Sequence, residues 1–342
     1  MSPDRLKVGV VGATGAVGST ILRVMGERGF PVGELRPFAS PASVGREVSF
    51  GGQRYACVAL DGGSIKGLDV VISSAGGTIS AEWAPRFVEA GSVVVDNTSY
   101  WRMREGVPLV IPEVNPEAVD AHKGIVANPN CSTMQMVVAL APIHRAAGIE
   151  RLVVSTYQSV SGTGARAVEE LRRQSRAVLD GTDVRAEVYP HQIAFNVLPQ
   201  VEVFSQDDDY TTEERKMMAE TRKILGAGDE LAISATCARV PVFTGHSESI
   251  NLQTRDEISP KECRELLASA PGVVVIDTPG QGLYPLPTAA AGQDDVLVGR
   301  IRRDPSAERT LNMWVVGDNL RKGAATNAVQ VAELMLERGL LA

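Results

Sequence analysis

The chain has 342 residues, with 34 Lys and Arg against 41 Asp and Glu, for a formal charge of −7. One hydrophobic core rarely grows past about 250–300 residues, so two domains are expected, and 44% hydrophobic with 22% charged residues suits a protein that buries a full core. The acidic balance argues against a nucleic-acid binder, which needs a basic face, but leaves room for a local Arg/Lys cluster that holds a small anion.

Residues 1–7, MSPDRLK, run straight into strand-like sequence without an apolar leader core. No apolar run approaches the roughly 20 residues that cross a bilayer, so no membrane partner is expected. LKVGVV at 6–11 reads as a strand buried on both faces. It leads through Gly12, Gly15 and Gly18 into an amphipathic helical stretch, STILRVMGERG. Further apolar strands fall at 34–39, 68–73 and 92–96. Strands alternating with helical material make βαβ units and a doubly wound sheet over about the first 130 residues.

The pattern changes after Cys131. A helix at 132–147, a near-alternating strand at 151–160 and a charged helix at 165–179 precede a polar, irregular stretch up to about 210. A helix at 212–225 starts after Thr211 and stops at Gly226, with Glu214 completing a capping box. Strands at 231–240, 247–254, 296–302 and 310–316 suggest a largely antiparallel sheet, and the last helix spans 324–338. No repeat, low-complexity tract or flexible linker interrupts this order. Cysteines 57, 131, 237 and 263 are scattered with no CxxC pair. Neither a disulfide framework nor a metal site is expected, and the chain reads as a cytoplasmic α/β enzyme.

Two stretches carry chemistry. Glycines between a strand and a helix let backbone N–H groups approach a pyrophosphate without Cβ interference; the GxxGxxG of residues 12–18 stands in that setting. A tight turn without ligand is the plainer alternative. The second strand ends Phe38-Ala39-Ser40 with no acid to bind ribose hydroxyls or repel a 2′-phosphate. Ser40, Ser43 and Arg46 could hold that phosphate, which favours NADP over NAD. The second stretch is Asn128-Pro129-Asn130-Cys131-Ser132-Thr133. Cys131 opens a helix, where partial positive charge stabilises a thiolate and moves its pKa from about 8.5 toward the working pH. On context alone a nucleophile and a packing residue both fit it. The other three cysteines are read as packing residues.

GATGAVG, DNTSYWR (96–102), NPNCST (128–133), YQSVSGTG (157–164), YTTEERKM (210–217), RVPVFTGH (239–246) and GDNLRKGAATNAVQ (317–330) follow one another over nearly the whole chain. In that order they resemble the bacterial aspartate-β-semialdehyde dehydrogenases. The resemblance implies a Rossmann-type dinucleotide-binding domain over 1–132, rejoined by the carboxyl-terminal helix from 319, and an α+β substrate and dimerisation domain over 133–318. It implies a homodimer that interconverts aspartyl-β-phosphate with aspartate β-semialdehyde and phosphate, using NADPH, in lysine, methionine and threonine synthesis. Cys131 would carry the thioester, His246 would be the acid/base and Gln158 would orient the acyl group. Arg239 would bind the α-carboxylate, Glu213 the ammonium, and Arg102 and Lys216 the phosphate, with Asn130 beside the nucleophile. Thr14, Gly15, Ala16 and Val17, with Ser161, Gly162 and Asn319, match cofactor positions. Where the family often has Arg before the residue matching Ser43, this chain has Ala42, which weakens strict NADP specificity unless Arg46 compensates. N-acetyl-γ-glutamyl-phosphate reductase shares the chemistry but usually shows PGCYPT in place of PNCST. A non-catalytic cofactor-sensing regulator is the third reading and leaves Cys131, Arg239 and His246 without a task.

Overall fold

A computed structural model describes residues 5–341, so the reading of the first four residues lies outside it. The chain separates into two compact units, one running to Asn130 and resuming at Ala324, the other spanning Cys131–Gly323.

The first unit holds β1 (Leu6–Val11), α1 (Ala16–Glu27), β2 (Val32–Phe38), β3 (Glu47–Phe50), β4 (Gln53–Ala56), β5 (Val70–Ser73), α2 (Gly77–Glu89), β6 (Val93–Asp96) and β7 (Ile125–Ala127). Five strands pair in the order β2-β1-β5-β6-β7, all parallel, which is the Rossmann-type sheet expected. Its apolar strands bury both faces. Val8, Val10, Val70, Ile72 and Val95 pack with Ile21 and Met25 of α1 and with Val329 and Ala332 of the returning helix. Val11, Val71 and Val94 pack on the other face with Ala84 and Phe87 of α2. β3 and β4 form an antiparallel hairpin around Gly51 and Gly52, both at positive φ. The sequence reading passes over this hairpin, although Gly-Gly is a strong two-residue turn signal.

The second unit holds α3 (Cys131–Ala147), β8 (Ile149–Gln158), α4 (Ala165–Leu179), α5 (Thr212–Leu225), β9 (Ala232–Arg239), β10 (His246–Thr254), α6 (Pro260–Ala268), β11 (Val273–Val275), α7 (Pro287–Ala290), β12 (Val296–Arg303) and β13 (Thr310–Gly317). The sheet order is β11-β12-β13-β10-β8-β9. The three central pairs are antiparallel, as expected, but the edge pairs β8–β9 and β11–β12 are parallel, so the sheet is mixed. The long connection through α4 and α5 returns the chain in its original direction, and parallel pairing needs such a crossover. α3 lies on this sheet, and Met134 through Ala141 are all buried, so apolar residues surround it rather than forming one stripe. α5 has the Thr211/Glu214 capping box and a left-handed Gly226 at its end. The final helix, α8 (Thr326–Glu337), starts two residues later than the sequence pattern suggests, because a π-helical turn occupies Arg321–Ala325. Among the described residues no helix is long and apolar enough to cross a membrane, and no group of three or more His, Cys, Asp or Glu could hold a metal.

Candidate active site

In the first unit, the strand order reverses on either side of β1, and crevices outside the carboxyl ends of the strands at such a point bind ligands. There Gly12 has φ +79, and a Cβ on it would sit 3.2 Å from Ser74, just past β5. Gly18 admits no side chain at all, since its Cβ would fall 2.1 Å from the Gly12 carbonyl oxygen. Gly15 caps α1 without a side-chain acceptor, and the first turn of α1, with Ala16 and Val17, holds no acid. An uncapped, acid-free helix start behind a glycine cradle with Thr14 in it fits a pyrophosphate. A second such turn follows β5, where Gly76 at φ +92 caps α2 without a side chain. The sequence reading misses this turn; SAGG at 74–77, directly after the VVIS strand, is its signal.

Past β2, Phe38 and Ala39 are buried while Ser40, Ala42 and Arg46 are exposed. Ser43 is half-buried, and the next acid, Glu47, pairs with Arg54 at 3.2 Å. Arg102 is buried between the loops that follow β6 and β7. Its Nε donates to the Asn128 carbonyl at 2.9 Å and its Nη2 to that of Asn97 at 2.8 Å. Asn128 donates in turn to Asn97 Oδ1 at 2.7 Å and accepts from Asn327 at 2.6 Å. Asn130 is buried nearby in sequence, at the end of this unit.

The second unit brings most of the expected catalytic residues together. Cys131 is the first residue of α3 and is half-buried. A Cβ on Gly323 would lie 3.0 Å from that of Cys131, so the backbone there comes close only because Gly323 has no side chain. The other three cysteines are buried: burial raises the thiol pKa of Cys57 and of Cys237, and pushes that of Cys263 up to about 12. One helical turn after Cys131, Gln135 Nε2 donates to the His246 carbonyl at 3.2 Å. The helix of the cysteine is thereby tied to the strand of the histidine.

His246 opens β10 and is fully buried. Its Nδ1 accepts the Ser159 main-chain N–H at 3.0 Å. A backbone N–H can only donate, so the neutral ring carries its proton on Nε2. Burial, with the Arg239 charge nearby, holds the His246 pKa well below 6.5. Asn319 supports this loop. Its Oδ1 accepts from Ser159 Oγ at 3.0 Å, Ser161 Oγ at 3.1 Å and the Gly245 amide at 3.0 Å.

Arg239 ends β9, and its Nη1 donates to the Ser159 carbonyl at 2.8 Å. Its Nε and His246 Nε2 are both buried without a partner. A Cβ on Gly162 would meet Arg239 Nη1 at 3.1 Å and His246 Nε2 at 3.3 Å, so the two side chains converge on one glycine. Gln158, the last residue of β8, donates to Glu213 Oε1 at 3.1 Å. Glu213 Oε2 is 3.7 Å from Lys216 Nζ, which also lies 2.5 Å from both Glu202 oxygens. Ser159, Gln135 and Gly323 belong to this cluster yet are not picked out by motif. Ser159 stands between Gln158 and Ser161 and acts through its backbone, which no side-chain pattern announces. His122 and His144 accept backbone amides at 3.1 and 3.0 Å and stay outside the cluster.

Both units have counterparts among known proteins. Residues 7–122 match the semialdehyde dehydrogenase NAD binding domain, and residues 140–322 match the semialdehyde dehydrogenase dimerisation domain. The aspartate-semialdehyde dehydrogenase of Aquifex aeolicus (strain VF5) is 56% identical over 339 residues, 98% of this chain and 99% of that one. Among crystal structures, aspartate semialdehyde dehydrogenase II from Vibrio cholerae, complexed with ASA, has a TM-score of 0.93 at 45% identity, covering 98% of this chain and 99% of that one. The Candida albicans enzyme with NADP has a TM-score of 0.76 at 25% identity, covering 98% and 100%. With both of its units matched to the family's two domains and relatives of this identity along almost its full length, the chain belongs to the aspartate-semialdehyde dehydrogenases.

Proposed function

We propose that this protein interconverts aspartyl-β-phosphate with aspartate β-semialdehyde and phosphate, using NADP, in the cytoplasmic synthesis of lysine, methionine and threonine. One observation carries the reading: the buried Arg239 and His246 side chains converge at Gly162 through Nη1 and Nε2, and each keeps a buried donor, Arg239 Nε and His246 Nε2, without a protein partner. Buried polar groups are nearly always paired, and two orphaned donors together call for an anionic ligand. Among the described residues no cysteine is in a disulfide, which leaves the Cys131 sulfur as a thiol.

In the biosynthetic direction the Cys131 thiolate attacks the acyl carbon, phosphate leaves with its bridging oxygen, and a thioester remains. A nicotinamide bound in the first unit would supply the hydride that reduces it. His246, with its proton on Nε2, donates to the oxygen of the tetrahedral centre until the thiolate is expelled and the aldehyde forms. In reverse, His246 must accept the thiohemiacetal proton at Nε2. For that, the neutral ring first moves its one proton from Nε2 to Nδ1, which then gives up the Ser159 amide and donates a hydrogen bond to Ser159 Oγ, 3.1 Å away. Arg239 pairs with the α-carboxylate through parallel charge-assisted bonds. Glu213 binds the ammonium, and Gln158 orients the acyl group.

The discriminating assay follows NADPH formation from aspartate semialdehyde plus phosphate, and from N-acetylglutamate semialdehyde plus phosphate. Turnover is expected with the first pair only. Turnover with the second alone assigns the other reductase, and turnover with neither removes the enzyme reading.

Lys216 and Arg102 are the proposed phosphate ligands, with Asn130 helping to place the phosphate or the oxyanion. Lys216 sits against Glu202 and Glu213. An exposed ion pair is worth little, whereas a charged contact to a dianion is strong. Lys216→Ala and Arg102→Ala should each raise the KM for phosphate roughly tenfold. Values within about twofold of the unmodified enzyme would remove these residues from the phosphate site.

NADP is preferred over NAD in this reading because Ser40, Ser43 and Arg46 stand past β2 with no acid among residues 38–46. Arg46→Glu should raise the KM for NADP far more than that for NAD. Equal losses for both cofactors would clear Arg46 of this role. A two-fold homodimer is proposed on the dimerisation-domain match, two-fold pairs being the commonest assembly. Light scattering should give about twice the 36.4 kDa chain mass across micromolar dilution; a monomer mass would refute the pairing.

A further inference from the structure

Glu248 is a fully buried carboxyl group that the mechanism above leaves without a task. It stands two residues after His246 on β10, so both side chains lie on the same face of the strand. Neither Glu248 oxygen has a hydrogen-bond partner placed on it, and Gln135 Oε1 is likewise buried without one. The two side chains nevertheless stand within hydrogen-bonding reach of each other. Three buried acceptors and no donor cannot be stable together. Turning the Gln135 amide over does not cure this. Its Nε2 would then face Glu248, but its Oε1 would oppose the His246 carbonyl oxygen, to which Nε2 now donates at 3.2 Å. A proton on Glu248 gives Gln135 Oε1 a donor, leaves the Gln135–His246 bond in place and removes the buried charge, so that one neutral carbonyl oxygen is all that stays unpaired.

We propose that Glu248 is a positioning residue for the reaction: a neutral carboxylic acid whose O–H donates to Gln135 Oε1 and locks the amide that joins the Cys131 helix to the His246 main chain. The surroundings agree. The ladder neighbours of Glu248 are Thr156 on β8 and Val315 on β13, and neither carries a charge. The nearby titratable group on β9, Cys237, is a thiol whose pKa burial raises, and His246 on the same strand is held neutral. Burial also raises the carboxyl pKa of Glu248 well above its usual 4.5. Gln135 cannot drift, because a Cβ on Gly317 would lie 2.8 Å from its Oε1, so backbone closes that side. The result is a single line of contacts from Cys131 through one helical turn to Gln135, Glu248 and the carbonyl of His246.

The proposal rests on the catalytic reading of Cys131 and His246, but its first test does not. Infrared difference spectra of the unmodified enzyme against Glu248→Gln at neutral pH should show the C=O stretch of a protonated carboxylic acid, lost in the variant. Absence of that band, or its survival in Glu248→Gln, overturns the proposal whether or not the enzyme turns over aspartate semialdehyde. The second test is kinetic. Glu248→Gln keeps a donor for Gln135 and should retain kcat within about threefold. Glu248→Leu removes the donor and should lower kcat roughly tenfold or more, with the KM for phosphate and for cofactor unchanged. Gln135→Leu should lose a similar factor, and the double variant should lose no more than either single one. Glu248→Gln falling as far as Glu248→Leu, or fully additive losses, would each refute the positioning role. Inactivity of the unmodified enzyme on every substrate would count against the catalytic reading and leave the infrared result to decide the protonation of Glu248.

Discussion

Cys131→Ser should fold normally and lose turnover by roughly 10³-fold or more, the largest effect expected of any single change in this chain. A serine hydroxyl is a far weaker nucleophile near neutral pH than a thiolate, and no acyl intermediate able to accept hydride forms without that attack. Cys131 begins α3, where the helix dipole favours a thiolate, and it is the one cysteine of four that is not fully buried. The change is also sterically safe, because oxygen is smaller than sulfur and the close approach of Gly323 is to Cβ, which serine keeps. The other three should behave differently. Cys57→Ala, Cys237→Ala and Cys263→Ala remove buried sulfurs with raised pKa values and should cost about 1 kcal/mol of stability each, with kcat preserved. Trapping the acyl enzyme with a slow substrate analogue, quenching in acid and mapping the adduct by mass spectrometry checks the assignment. An adduct on another residue, or a Cys131→Ser enzyme with near-normal kcat, would overturn the mechanism.

His246→Ala should slow turnover by roughly 10²–10⁴-fold, the usual contribution of a positioned acid/base, without abolishing cofactor binding. The same residue sets a stability trend with pH. In the folded chain its pKa lies well below 6.5, because the ring is buried and Arg239 is near. In the unfolded chain it takes up a proton as pH falls through about 6.5. Below that pH the unfolded state therefore binds more protons, and this group's contribution shifts against the native state until the depressed folded pKa is reached. Thermal unfolding of the unmodified protein should weaken as pH drops from 7 toward 5, and the slope should be shallower in His246→Ala. Identical slopes would mean that the imidazole is not held neutral, and full activity in the variant would remove it from the chemistry.

Most of the parallel sheet was legible in the sequence because β1, β5 and β6 are short apolar runs followed by helical or glycine-rich material, a pattern set by local chemistry, whereas the three-residue β7 was not read as a strand. The same holds for α5, where Thr211, Glu214 and Gly226 announce the ends of the helix within a few residues of one another. Motif spelling pointed to Cys131, Gln158, Glu213, Lys216, Arg239 and His246, all of which the second unit contains, and Gln158, Glu213 and Lys216 touch one another as a chain of polar contacts. What the sequence could not decide depends on partners distant along the chain. The parallel edges of the second sheet follow from where long crossovers return, and no strand carries a mark of its neighbour's direction. The tautomer of His246 is set by the backbone of Ser159, 87 residues away, and a main-chain N–H has no signature in side-chain identity. Glu248 reads in the sequence as one more polar residue on an alternating strand. Only the fold buries it beside Gln135, 113 positions earlier, away from the water that would favour its ionised form, and burial is what raises its pKa.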